Sequence, residues 1–539
     1  MGRESESLRE LMKFRKKEIK GFLYTFLVGI VAHFFIIANP LFNADGIFYN
    51  RSMGAGSILG RWLIEVLNSV FSFVGYSAVI PMFNVVISVL ILSFSTIYIL
   101  RIFDIEDVVY RFIISCSIVL SPSIVQTFFY GFTSHIYALA ILFTVLSIYY
   151  LVIKNNFVAS VYLNCIALAI YQAYIPFMLC IYLIYTVKYL ISNSIKYTFT
   201  VVIKAFFSFL LSFMLYYMIN DIINRRNENY VYQIHGMSEY IVPKFTFASF
   251  LASIVKSYQA VLDMFMTHNV FAHNTTILIR VVYFLLILFT TYLVIKLIYN
   301  YAFKKAMYQN ERKEAIYKSI IIVVLYILSP LAINFMFIMT NNGIGYIEDR
   351  LSLSLVFYII FPVVLADTID KISITKSRFI LTDCKKIVSL LTIIVLMHNV
   401  WLAYGSYYNQ YKIINASRSF ALELATNIKM LPGYKNDTAV LFIGSPYVKN
   451  THFNYGYYVD AEHNVYSNFD IEYENILSEY PMMKIFKEFT ALDFPEPDRD
   501  FANNLYYSKA VREMPLYPID GSVRLVENVA VVKFKEPKY

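Results

Sequence analysis

Uninterrupted apolar runs, long enough to cross a bilayer, decide what this chain can fold into. GFLYTFLVGIVAHFFIIA (21–38) is the first, and runs of similar length recur along the sequence. About 20 apolar residues in a helix span a hydrocarbon layer of roughly 30 Å. Within that layer every backbone N–H and C=O must find an internal partner, so such runs form helices. Composition agrees, with 58% hydrophobic and 15% charged residues, against about 45–50% and about 25% in soluble domains. The expected fold is an all-α polytopic membrane protein.

Basic residues set the expected orientation. MGRESESLRELMKFRKKEIK (1–20) is rich in Lys and Arg, and no small-residue cleavage motif follows the first run. The run therefore reads as a retained anchor with a cytoplasmic N-terminus. Counting from there, the basic segments 101–111, 154–156, 188–204, 296–318 and 371–386 each return to the cytoplasm, which gives about eleven spans. Three parts follow: a cytoplasmic basic segment (1–20), a multi-span domain (21–405) and an extracytoplasmic domain (406–539). In the last part ASRSFALELATNIKML has helical periodicity, TAVLFIG reads as a buried strand and SVRLVENVAVVKF as a hairpin or paired strands. A small α/β domain on the outer face is expected.

The charge pattern excludes several classes. The net charge of +9 is spread beside the spans rather than over one soluble face, so nucleic acid is not the expected partner. Cys116, Cys165, Cys180 and Cys384 form no CxxC pair, which supports neither a zinc site nor a disulfide framework. His268 and His273 lack metal-ligand spacing on a helix. No cofactor is expected, no residue is read as a metal ligand, and a metal requirement is left open.

The stretch NPLFNADGIFYNRSMGAGSILGRWL (39–63) places Asp45, Arg51 and Arg61 beside the outer interface. Taken singly, each has a structural explanation: NADG is good turn chemistry, and interfacial Arg snorkels to headgroup phosphates. Taken together, they suit a charged substrate carried by lipid. Arg grips a phosphate through paired, charge-assisted hydrogen bonds. An Asp can accept the proton of an attacking hydroxyl as general base, a role worth about 10²–10⁴-fold.

Two amphipathic stretches, SILGRWLIEVLNSVFSFV and FTFASFLASIVKSYQAVLDMFM, are expected to lie in the interface plane. Glu348, Asp349 and Arg350 close the short outer loop NNGIGYIEDR. They read either as a solvated, self-paired charge run or as site groups, with Arg350 on the phosphate and the acids on sugar or acceptor. Tyr171 and Gln172, near the outer end of a span, fit sugar binding and fit equally a polar pair satisfied by a neighbouring helix.

Four segments together resemble one family: the loop acid followed by GRWL, ALAIYQAYIPFML (167–179), ASRSFALELATNIKML and the ending MPLYPIDGSVRLVENVAVVKF. It is the bacterial Gtr-type glucosyltransferase family that decorates O-antigen, within the GT-C class of multi-span glycosyltransferases. The resemblance covers nearly the whole chain, and its specificity lies in the order and spacing of short motifs. It implies an enzyme of the bacterial plasma membrane that takes glucose from undecaprenyl phosphate. It also implies a cell-surface glycan such as O-antigen lipopolysaccharide as acceptor, inversion at the anomeric carbon and no nucleotide-sugar binding. By motif, Asp45 matches the family's loop acid, Gly60 and Arg61 its Gly-Arg pair, and Tyr171 and Gln172 its Tyr-Gln pair. One departure stands out: Ala44 occupies the first of two positions that are often both acidic, which leaves one carboxylate.

Two other classes compete. A transporter or flippase for a lipid-linked saccharide would carry ionisable residues at mid-membrane depth and often internal repeats, whereas here the span interiors are nearly free of charge. A scaffold whose outer tail is the working part leaves the Asp45 loop unexplained.

Overall fold

The computed structural model describes residues 15–43, 46, 56, 59–73, 80–225, 246–266, 277–303, 312–340, 349–372, 378–444 and 480–536. Among them, residues within 1–38 and 51–405 form one compact unit and those within 39–50 and 406–539 a second.

The first unit is helical throughout. Its helices are α1 (Lys16–Ala32), α2 (Phe34–Ala38), α3 (Trp62–Phe73), α4 (Pro81–Phe103), α5 (Val108–Val119), α6 (Pro122–Phe129), α7 (Ser134–Val152) and α8 (Phe157–Ile170). They continue with α9 (Ile175–Ser192), α10 (Ile195–Arg225), α11 (Phe247–Met266), α12 (Ile277–Ile298), α13 (Arg312–Ile333), α14 (Phe335–Met339), α15 (Phe357–Ile372) and the long α16 (Arg378–Lys429), whose residues from Ser406 belong to the second unit. Among the described residues nine helical segments are long and apolar enough to cross a membrane. Two shorter apolar elements accompany them: α8, and the first run, which is broken at His33 into α1 and α2. The chain is an all-α polytopic membrane protein in this unit.

Helix boundaries follow from local chemistry. Asp107 caps α5 by accepting from the N–H groups of Val109 (2.9 Å) and Tyr110 (3.1 Å). Ser121 and Pro122 start α6, Pro81 starts α4, and Asn156 caps α8 through Ala159 N–H at 3.0 Å. Proline suits the first turn because its missing N–H would be unpaired there anyway.

Inside the bundle, small and hydroxyl-bearing residues hold the helices together. Gly21, Thr25 and Gly29 line one face of α1. A Cβ at Gly29 would lie 2.7 Å from Val89 Cγ1 and 2.8 Å from Val119 Cγ2, so only glycine admits α4 and α5 this closely. Between them Thr25 donates to the Ser115 carbonyl at 2.7 Å. Ser147, Ser160 and Ser208 form a hydroxyl chain linking α7, α8 and α10, with steps of 3.1 and 2.9 Å. Without a hydrophobic drive between helices in lipid, close packing and such bonds supply the association. The segment Leu353–Ile372 is 89% buried while Ile195–Asn224 is 17% buried, so α15 is central and α10 peripheral.

In the second unit, β1 (Val440–Ile443), α17 (Tyr480–Thr490), α18 (Arg499–Tyr506), α19 (Lys509–Arg512), β2 (Val523–Val526) and β3 (Val529–Lys533) follow the end of α16. The sheet has the order β1-β3-β2, with β1 parallel and β2 antiparallel to β3. Glu527 and Asn528 both have positive φ (50° and 65°), the geometry a two-residue hairpin turn demands. One sheet face packs Leu441, Ile443 and Val531 against Leu505 and Met514. Phe442 carries the other face to Phe486 and Phe534. The buried strand read at TAVLFIG is β1, and the paired strands read at SVRLVENVAVVKF are β2 and β3.

Candidate active site

Asp45, Arg51 and Glu348 lie outside the described residues, as does the side chain of Asp349. Arg61, Arg350, Tyr171 and Gln172 are described, all in the first unit.

The Gly60-Arg61 pair is built onto a break between two spans. α8 ends at Tyr171, whose extended backbone (φ −157°, ψ 103°) stops the helix. A single 3-10 turn, Gln172–Tyr174, then leads into α9, where Pro176 sits in the first turn. Gln172, 2% exposed, donates from Nε2 to the Gly60 carbonyl at 2.7 Å. The Tyr216 hydroxyl of α10 donates to the same carbonyl at 2.9 Å and lies 2.7 Å from Gln172 Nε2. Gly60 has φ +69°, and a Cβ there would come within 2.4 Å of Tyr216 Oη. Only glycine satisfies both the left-handed backbone and the space. α3 begins at Trp62, directly after this turn.

Arg61 follows directly. One Nη1–H goes to the Tyr137 hydroxyl at 2.8 Å, and the guanidinium carbon lies 4.8 Å above the Tyr171 ring and 5.7 Å from that of Tyr137. Those two rings stack, with centroids 4.3 Å apart and planes 20° from parallel. Tyr174 meets Tyr171 edge-on at 5.0 Å. Arg61 Nε has no partner among the described residues. The guanidinium is thus oriented by aromatic faces and one hydroxyl, and among the described residues one of its five N–H groups has a hydrogen-bond partner.

Arg350 is held in a related way. Its backbone N–H donates to Gln126 Oε1 at 3.1 Å and its carbonyl accepts from Ser123 Oγ at 3.0 Å, which latches it to α6. Its Nη1–H donates to the Tyr130 hydroxyl, and its guanidinium lies 5.1 Å from the Tyr130 ring centroid. Tyr130 belongs to the short connection from α6 into α7, and Tyr137 lies in the first turn of α7 that follows it. Asn84 Nδ2 pins that connection to α4 through the Gly131 carbonyl at 2.9 Å, and Ser88 reaches Ser134 at 3.1 Å. Two arginines far apart in sequence are therefore set by two tyrosines of one segment. Arginines oriented in this manner can receive a phosphate.

In the second unit the residues flanking Asp45 are anchored. Gly46 N–H donates to Asn43 Oδ1 at 3.1 Å. Asn43 is buried. Gln410 Nε2 donates to the Phe42 carbonyl at 2.7 Å, and Phe42 stacks on Phe489 at 6.2 Å. Among the described residues there is no group of three or more His, Cys, Asp or Glu side chains able to hold a metal.

Compared with known families, residues 34–366 match the family model described as "Glucosyl transferase GtrII". The chain belongs to the GtrII family. The match takes in Asp45, Gly60, Arg61, Tyr130, Tyr137, Tyr171, Gln172, Tyr216 and Arg350 and ends within α15. GtrII membership implies a glucosyltransferase, here one with membrane-crossing helices. No curated protein and no solved structure matches the chain. Three GtrII tyrosines, Tyr130, Tyr137 and Tyr216, carry the site's geometry without having been singled out in the sequence.

Proposed function

We propose that this GtrII protein transfers glucose from a polyprenyl-phosphate carrier to a cell-surface glycan such as O-antigen, at the outer face of the bacterial plasma membrane. In this reading the N-terminus is cytoplasmic, the C-terminal domain extracytoplasmic and the enzyme of the GT-C class. The observation that supports it best is the pair of guanidiniums, Arg350 oriented by Tyr130 of the α6–α7 connection and Arg61 by Tyr137 in the first turn of α7. A sugar phosphodiester at the lipid boundary is the substrate that such a pair suits.

The reaction is an inverting displacement. An acceptor hydroxyl attacks the anomeric carbon, and the bond from that carbon to the phosphate oxygen breaks. The electron pair leaves with the polyprenyl phosphate, and the hydroxyl proton passes to the carboxylate of Asp45. The departing phosphate needs no proton, so one carboxylate suffices. Arg61 and Arg350, with Arg51, neutralise the charge that grows on the phosphate. Tyr171 and Gln172 keep Arg61 and Gly60 in place beside the sugar, and Glu348 and Asp349 bind the acceptor through its hydroxyls.

The direct test is mass spectrometry of surface polysaccharide from cells with the protein, without it, and with Arg61→Ala. A hexose increment present with the wild type, absent without it and strongly reduced in the variant supports the reading. An unchanged polysaccharide in cells that accumulate or flip the lipid-linked sugar contradicts it and favours a flippase.

A further inference from the structure

A polar cavity of about 610 Å³ opens at the far end of the helices that carry the candidate site. It is lined by the C-terminal ends of α4 and α7, through Arg101 and Tyr149, by the start of α1 and by Arg111 of α5. Arg101 follows Pro81 by 20 residues in α4, which puts the cavity about 30 Å from Pro81 and the α6–α7 connection, at 1.5 Å per residue. It is thus remote from Arg61 and Arg350.

The charges around it do not balance. Five cationic side chains line it (Arg15, Lys17, Arg101, Arg111 and Lys154) against two carboxylates, Glu18 and Asp104. The carboxylates are already engaged: Glu18 pairs with Arg101 at 2.8 Å and Asp104 with Lys17 at 3.2 Å. Arg111 is the informative member. It is 6% exposed, donates an Nη2–H to the Glu106 carbonyl at 2.6 Å, and its Nε has no partner among the described residues. No described carboxylate lies within ion-pair distance of it. A buried charge without a counter-ion costs several kcal/mol in the general case, so an anion that enters this cavity removes a standing penalty.

We infer that this cavity binds a phosphate group, with Arg111 as its central ligand. Guanidinium recognises phosphate through paired N–H donors, and Leu100, Ile105 and Ile153 add apolar wall beside the charges. The cavity lies where spans end, so the headgroup phosphate of an anionic lipid is one source. A free phosphate is the other. The inference is independent of the donor chemistry assigned to Arg61.

The test uses the full-length protein in zwitterionic nanodiscs. Retention of phosphatidylglycerol is read by native mass spectrometry, and the melting temperature is read with added phosphatidylglycerol or inorganic phosphate. The wild type should retain phosphatidylglycerol and melt higher with it. Arg111→Gln should retain it roughly tenfold less, the scale of one lost charge-assisted partner. Lys154→Gln, at an exposed position, should show a smaller loss and guards against misfolding of the first variant. Lys196→Gln, outside the cavity, controls for net charge. A response to inorganic phosphate that Arg111→Gln abolishes supports the same site with a soluble occupant. Equal retention by wild type, Arg111→Gln and Lys154→Gln, with no response to phosphate, overturns the inference.

Discussion

Gln172 donates its side-chain N–H to the carbonyl of Gly60 at 2.7 Å, across 112 positions of sequence. The bond ties the break between α8 and α9 to the residue that precedes Arg61, so Gly60-Arg61 and Tyr171-Gln172 form one piece of structure. A buried carbonyl with two donors fixes the turn from which Arg61 projects.

Gly60→Ala should therefore be among the most damaging small substitutions in the chain. It places a Cβ within 2.4 Å of Tyr216 Oη and forces a left-handed alanine, a strain of roughly 1–2 kcal/mol. Transfer activity is expected to fall about tenfold or more. Adding Tyr216→Phe removes the clash but not the strain, so the double variant should recover part of the loss. Transfer rates of the two proteins check this.

Arg61→Lys should not substitute for arginine. A lysine keeps the charge but loses the planar stack on Tyr171 and the paired donors. KM for the lipid-linked donor should rise and kcat/KM fall by about tenfold or more. Tyr137→Phe removes only the hydroxyl that accepts from Arg61 and should cost about 2- to 10-fold. Steady-state kinetics with a polyprenyl-phosphate sugar separates the two.

Arg350 and Tyr130 make a parallel pair. Tyr130→Phe should lower kcat/KM by about 2- to 10-fold and Arg350→Ala by more. Combining Tyr130→Phe with Arg350→Ala should add little beyond Arg350→Ala, because the hydroxyl acts through that arginine. A double-mutant cycle on kcat/KM reads the coupling.

Asp107 gives a pH dependence. Partial burial alone would raise its pKa, but the Lys385 ammonium and the capping N–H groups of α5 hold it below the ordinary carboxylate value. A carboxylate depressed in the folded state stabilises the protein above its unfolded pKa, and that contribution disappears as pH falls through the folded value. Melting temperature should thus fall on acidification below about pH 4, and Asp107→Asn should flatten that slope. Asp107→Ala also removes the cap and should cost about 1 kcal/mol at neutral pH. Thermal melts of wild type and both variants across pH provide the check.

The spans were legible because length and apolarity belong to contiguous residues. The hairpin was legible because two short Val-rich runs flank the turn-forming pair Glu527–Asn528. The site was legible only in part. Gly60, Arg61, Tyr171 and Gln172 stood out as motifs, yet Tyr130, Tyr137 and Tyr216 are three among 47 tyrosines. Their partners lie 220, 76 and 156 positions away, a distance no local pattern encodes. The break of the first span at His33 was equally hidden. There the His33 ring meets the Val119 carbonyl at 2.8 Å, a contact supplied by another helix.

The claim on which the account rests is that Asp45 takes the proton of the acceptor hydroxyl. Single-turnover transfer from radiolabelled polyprenyl-phosphate glucose by purified wild type and Asp45→Asn measures it most directly. The account predicts labelled glycan from the wild type, and none from the variant although it still binds the donor. Full transfer by Asp45→Asn would contradict it.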